Sequence, residues 1–109
     1  MSQFVFLYRE ARTPTPQELE SRMAACLVWF KDLERGGHLA QYGHPLNRTD
    51  GHVVRKGAVT DGPYAETKDI VIGYSLIEAI DVDEAVKLAA ACPLVEWGCM
   101  IEVRPVLKL

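Results

Sequence analysis

The amino-acid sequence predicts an α+β domain in which two strand–helix–strand units lie side by side and share one antiparallel sheet. Three observations carry this. Two stretches with helical spacing open on capping signals at Thr15 and Asp81, and each lies between short apolar segments rich in β-branched and aromatic residues. A polar, turn-rich stretch separates the two units and holds a small hairpin. With 109 residues, 49% of them hydrophobic and 25% charged, the chain has the size and composition of one globular domain spanning residues 1–109.

Phe4-Val5-Phe6-Leu7-Tyr8 reads as the first strand, ended by Arg9-Glu10-Ala11-Arg12. Thr15-Pro16-Gln17-Glu18 then supplies a hydroxyl cap, a proline at the first helical position and a glutamate that reaches back to the cap amide. Leu19, Met23, Cys26, Leu27, Phe30 and Leu33 recur at helical spacing, so the helix is expected to pack through that stripe. Gly36-Gly37 closes its last turn, His38 to Tyr42 follow as a second strand, and Gly43-His44-Pro45 ends it.

His52-Val53-Val54-Arg55 and Ala58-Val59-Thr60 flank Lys56-Gly57 as a hairpin, stopped by Asp61-Gly62-Pro63. Ile70 to Ile80 is long for one strand, and Gly73 inside it signals a bulge or a close backbone approach. Asp81-Val82-Asp83-Glu84 caps a second helix whose face is Ala85, Val86, Leu88, Ala89 and Cys92 before Pro93 terminates it. Met100 to Arg104 is the last strand, with Pro105 at its end. Two crossovers of this kind place both helices on one sheet face. The other face keeps part of the apolar alternation, and a second copy of the chain is the economical cover, giving a homodimer with a barrel between the sheets.

The formal charge of -3 and the lack of clustered Lys and Arg argue against nucleic acid as a partner. No window has the length or apolarity of a membrane span, and Met1-Ser2-Gln3-Phe4 opens no signal segment, so a cytoplasmic location is expected. Cys26, Cys92 and Cys99 are odd in number and lack a CxxC spacing, which indicates free thiols. His38, His44 and His52 share no local metal-ligand spacing, and neither a metal nor a cofactor is expected. Asn47-Arg48-Thr49 matches a glycosylation acceptor only by chance, within a polar loop.

Thr60-Asp61-Gly62-Pro63-Tyr64-Ala65-Glu66-Thr67-Lys68-Asp69 resembles the hallmark TDGPFAETKE of the YCII-related family in its DGPF branch, departing from it at Tyr64 and Asp69. Gly73-Tyr74, Ile77-Glu78, Asp83-Glu84-Ala85, Ala91-Cys92-Pro93 and Ile101 to Pro105 extend the likeness, and Gly43 and Leu46 carry it upstream more weakly. The resemblance implies a ferredoxin-like fold and a dimeric α+β barrel. The wider superfamily is similar to small barrel enzymes, and the resemblance implies a His and Asp pair as an acid/base site within that superfamily. Here Arg9 to Thr13, which follow the first strand, contain no imidazole, so that dyad does not transfer. DGPF-type proteins are also encoded beside, or fused to, extracytoplasmic-function sigma factors, which implies a regulatory alternative.

Two readings of the site follow. In the first, a small-molecule enzyme or binder uses Asp61 as acid, base or acceptor and Lys68 as its cationic partner at the barrel mouth, with His44 as proton carrier. Gly62, Pro63, Tyr64, Glu66 and Thr67 then form the binding loop, and Tyr8, Tyr74 and Trp97 line the pocket. In the second, the chain is a non-catalytic partner of a transcription factor, docking through Thr60 to Asp69. Plain structural roles compete with both, because Asp-Gly-Pro makes a turn unaided and a Glu–Lys pair in a loop is ordinary surface.

Overall fold

A computed structural model describes residues 1–65 and 69–109; Glu66, Thr67 and Lys68 lie outside the described residues. The elements run β1 (Ser2–Glu10), α1 (Pro16–Arg35), β2 (Leu39–Pro45), β3 (His52–Arg55), β4 (Ala58–Asp61), β5 (Ile70–Ala79), α2 (Val82–Ala90) and β6 (Met100–Pro105). Four strands form one sheet in the order β2-β5-β1-β6, with every neighbouring pair antiparallel. This is the ferredoxin-like α+β arrangement expected from the sequence. Among the described residues β3 and β4 pair only with each other, as an arm.

Side chains alternate across a strand, and β1 uses that strictly: Phe4, Phe6, Tyr8 and Glu10 are buried while Val5, Leu7 and Arg9 are half-buried on the other face. Trp29 and Leu33 of α1 and Ala85 and Ala89 of α2 join Phe4, Phe6, Tyr8 and Ile77 in a single core. Both helices therefore serve the same sheet face. The molecule measures 43 × 42 × 19 Å, thin enough for two layers.

Helix α1 begins with the expected reciprocal cap: Thr15 Oγ1 accepts from the Glu18 amide at 3.2 Å, and Glu18 Oε1 accepts from the Thr15 amide at 3.1 Å. Its packing differs from the expected stripe. Arg22, Trp29 and Leu33 are the buried residues, whereas Leu19, Met23, Leu27 and Val28 stay 44–68% exposed. The indole of Trp29 sets this rotation by packing on Phe6, Tyr8 and Phe30, with its Nε1 donating to the Leu88 carbonyl at 3.1 Å. α2 packs through Ala85 and Ala89, and Val86, expected on that face, is half exposed. Pro93 does end α2, but it also opens a 3₁₀ turn, Pro93–Trp97, that the sequence reading lacked.

β2 runs past Tyr42 to Pro45, because Gly43 adopts a φ of 72° that lets the strand bulge and continue. A Cβ there would run into the Tyr74 carbonyl, so the site needs glycine. The close approach expected at Gly73 is present, with the His44 carbonyl 3.2 Å from where a Cβ would stand. Pairing of β1 with β5 slips between Tyr8 and Arg9, the bend expected in the long strand.

Candidate functional site

Because α1 meets the sheet through Trp29 and Leu33, its other apolar stripe faces open space. That space is a cavity of about 430 Å³ between α1 and the β2–β5 side of the sheet. Leu19, Met23, Leu27 and Phe30 form the helical wall; Tyr8, Ile72 and Ser75 lie on the sheet, and Tyr42 and Leu46 close the β2 edge. Walls this apolar, with a few polar groups among them, are the usual character of a small-molecule pocket.

The first polar group is a hydroxyl chain. Tyr8 donates to Ser75 Oγ at 2.7 Å, and Ser75 donates on to the Tyr42 carbonyl at 2.7 Å. Burial pushes the Tyr8 phenol well above its ordinary range, an effect its bond to Ser75 only partly offsets. It stays a neutral hydroxyl.

The second is a buried ionic cluster. Glu10, at the end of the inward alternation of β1, is 3% exposed, and Arg22 of α1 is 4% exposed. Arg22 NH1 donates to Glu10 Oε2 at 2.7 Å, Arg48 NH1 donates to Glu10 Oε1 at 2.8 Å, and the Cys99 thiol donates to Oε2 at 3.0 Å. Burial alone would raise the Glu10 carboxyl. The bonds from Cys99 and Arg22, with the charges of Arg22 and Arg48, outweigh it and hold Glu10 below the usual carboxylate value. Burial, and next the bond to Glu10, lift the Cys99 thiol to about 11, so Cys99 is a protonated donor rather than a nucleophile.

Arg48 reaches this cluster because Asn47 Oδ1 accepts from the amides of Thr49 and Asp50 at 2.9 and 2.8 Å, folding the loop into a turn. Its NH2 also donates to the Arg12 carbonyl at 3.0 Å. Arg22 and Arg48 both border the cavity. Cys26 and Cys92 border it too; a bond from the Cys92 thiol lowers Cys26, and that same bond, with burial, raises Cys92.

The residues singled out from sequence that the structure describes are spread over four places. Tyr8 is on the cavity floor. Tyr74 pairs with Leu7 and His44 pairs with Tyr74, which sets both on the sheet face opposite Tyr8, their rings edge to face at 6.1 Å, although both border the cavity at the strand edge. Asp61 is on the arm, its side chain 97% exposed, where Oδ1 meets His52 Nδ1 at 3.1 Å. Gly62 donates to the Gly51 carbonyl at 2.7 Å and, with Pro63, closes the base of the arm; the Arg55 guanidinium stands 5.7 Å over the Tyr64 ring. Glu66, Thr67 and Lys68 fall outside the described residues. Trp97 is in the 3₁₀ turn and away from the cavity lining.

Glu10, Arg22, Arg48 and Ser75 were missed from sequence. Parity could have found two of them, since the spacing that buries Phe4, Phe6 and Tyr8 also buries Glu10, and that of Ile77 buries Ser75. No group of three or more His, Cys, Asp or Glu among the described residues is arranged to hold a metal ion. No described helix is long and apolar enough to cross a membrane.

The family model described as YCII-related domain matches residues 3–109. No curated protein matches the chain.

Proposed function

The chain belongs to the YCII-related family, and from that premise we propose that it binds a small organic molecule in the cavity between α1 and the sheet. One observation carries the reading: Leu19, Met23 and Leu27 stand 44–68% exposed around an open volume of about 430 Å³ that the core leaves unfilled. That volume lies within the roughly 300–1,000 Å³ of ordinary ligand sites. The neutral fluorophore N-phenyl-1-naphthylamine tests it. Blue-shifted, saturable emission at one probe per chain is expected, weakened at least tenfold by Leu27→Trp with an unchanged melting temperature. Absence of saturable binding to the wild type removes the proposal.

The face carrying Val5, Leu7, Tyr74 and Leu76 receives neither helix, and a second copy laid across it would complete a dimeric barrel holding Tyr74 and His44 inside. The expected solution mass is then twice the 12.2 kDa of the chain, and a monomeric mass by light scattering at micromolar concentration would sink this part. A second reading, a regulatory protein acting on a sigma-type transcription factor, is favoured by the arm, where the opposed Val54 and Val59 are 74% and 65% exposed. Val54→Asp with Val59→Asp should then abolish partner binding and leave fluorophore binding intact.

A further inference from the structure

We propose that the ligand of this cavity is a monoanion, an apolar organic molecule bearing one carboxylate that docks at Arg48 beside Arg22. The inference deepens the small-molecule reading above and rests on it. Its physical basis is a charge count around the cavity. Among the described residues of the cluster, Glu10 is the single carboxylate between the guanidiniums of Arg22 and Arg48, and the Cys99 thiol it also holds is neutral. Arg12, the next cation, is already matched by Glu18 through two bonds of 2.6 and 2.9 Å. One positive charge is therefore left over at the cavity wall, in a protein whose formal charge is -3.

A surplus charge bordering an apolar space is costly unless something of opposite sign reaches it. Arg48 is placed to be reached. Its side chain is 24% exposed and is committed through one bond from NH1 to Glu10 and one from NH2 to Arg12, out of the five N–H groups a guanidinium has. Arg22, by contrast, is nearly sealed, giving NH1 to Glu10 and NH2 to Cys99. Arg48 would thus make the contact, with Arg22 adding field. The remaining walls, Leu19, Met23, Leu27 and Ile72, suit an aliphatic or aromatic body. The Tyr8 phenol is two residues along β1 from Glu10 on the same face.

The same count argues against a phosphate monoester. Glu10 faces the same guanidiniums, so a dianion would bring total negative charge to three against two cations. A carboxylate balances it.

Three probes of similar shape decide the matter: 1-naphthoate, the neutral 1-naphthamide and 1-naphthyl phosphate, titrated into the intact protein and followed by calorimetry. The expected result is naphthoate at least tenfold tighter than the amide and tighter than the phosphate. Arg48→Met should bring naphthoate to within twofold of the amide, and Arg48→Lys should retain most of the preference. Equal affinity for naphthoate and naphthamide, or tighter binding of the phosphate, overturns the monoanion inference and leaves the cavity reading standing. Failure of all three probes to bind overturns the cavity reading, and the inference with it.

Discussion

Helices α1 and α2 lie on the same face of the same sheet and are capped in the same way, by Thr15 accepting from the Glu18 amide and Asp81 from the Glu84 amide. They use the sheet differently. α2 presents Ala85 and Ala89, 0% and 5% exposed, and small contact residues let a helix come close. α1 presents Arg22, Trp29 and Leu33, and such bulky side chains hold the helix off. The close helix seals its half of the core; the distant one leaves a cavity and must satisfy a buried charge at its rim. The volume of the cavity thus follows from contact-residue size, while the loop after β2 adds Leu46 and Arg48 to its wall.

The sharpest way to break this contrast is to remove the charge at the foot of α1. Glu10→Ala leaves Arg22 buried without its carboxylate, and breaking a buried pair typically costs about 3–5 kcal/mol. Urea denaturation should report a loss of that size, and replacing both Glu10 and Arg22 by leucine should recover much of it. The contribution also depends on pH. Glu10 is held below its ordinary value in the folded state, so its stabilisation is present above that ordinary value and fades as pH falls through the lower folded one. Stability followed from neutral pH to pH 3 should therefore fall less steeply in Glu10→Gln than in the wild type. An equal slope would show that folding does not lower the Glu10 carboxyl below its ordinary value.

Under α2 the contrast is sharpened by adding volume. Ala85→Leu forces a larger side chain into a contact with no free space, for about 1–3 kcal/mol of destabilisation. The same exchange at Ala24, exposed on α1, should stay within about 0.5 kcal/mol. Similar costs at the two positions would mean that Ala85 is not tightly packed against the sheet.

How much of this was legible in the sequence follows from what each signal encodes. The caps at Thr15 and Asp81, the alternation from Phe4 to Tyr8 and the turn at Gly57 are local, and they fixed the element order and the ferredoxin-like arrangement. Apolar spacing predicts one contact face on α1, because it reports a side chain's direction and not what lies opposite it. Trp29, left out of that stripe, decides the rotation through Phe6 and Tyr8, residues far from it in the chain. Arg48 looked like loop polarity, since only the folded chain brings it to Glu10, 38 residues away. Asp61, chosen for its motif, lies on the arm, away from the cavity.

The smallest expected change lies on the exposed stripe of α1. Met23 is 68% exposed and contributes little to the core, so Met23→Ser should alter the free energy of unfolding by no more than about 0.5 kcal/mol. A helix residue that borders a binding cavity without supporting the core should nevertheless matter to a ligand. Calorimetry with N-phenyl-1-naphthylamine is expected to show severalfold weaker binding to this variant. The two measurements must therefore separate, stability held and affinity lost. If Met23→Ser instead lowered stability by as much as Ala85→Leu, the stripe would be core after all, and the two helices would not differ in the way the cavity requires.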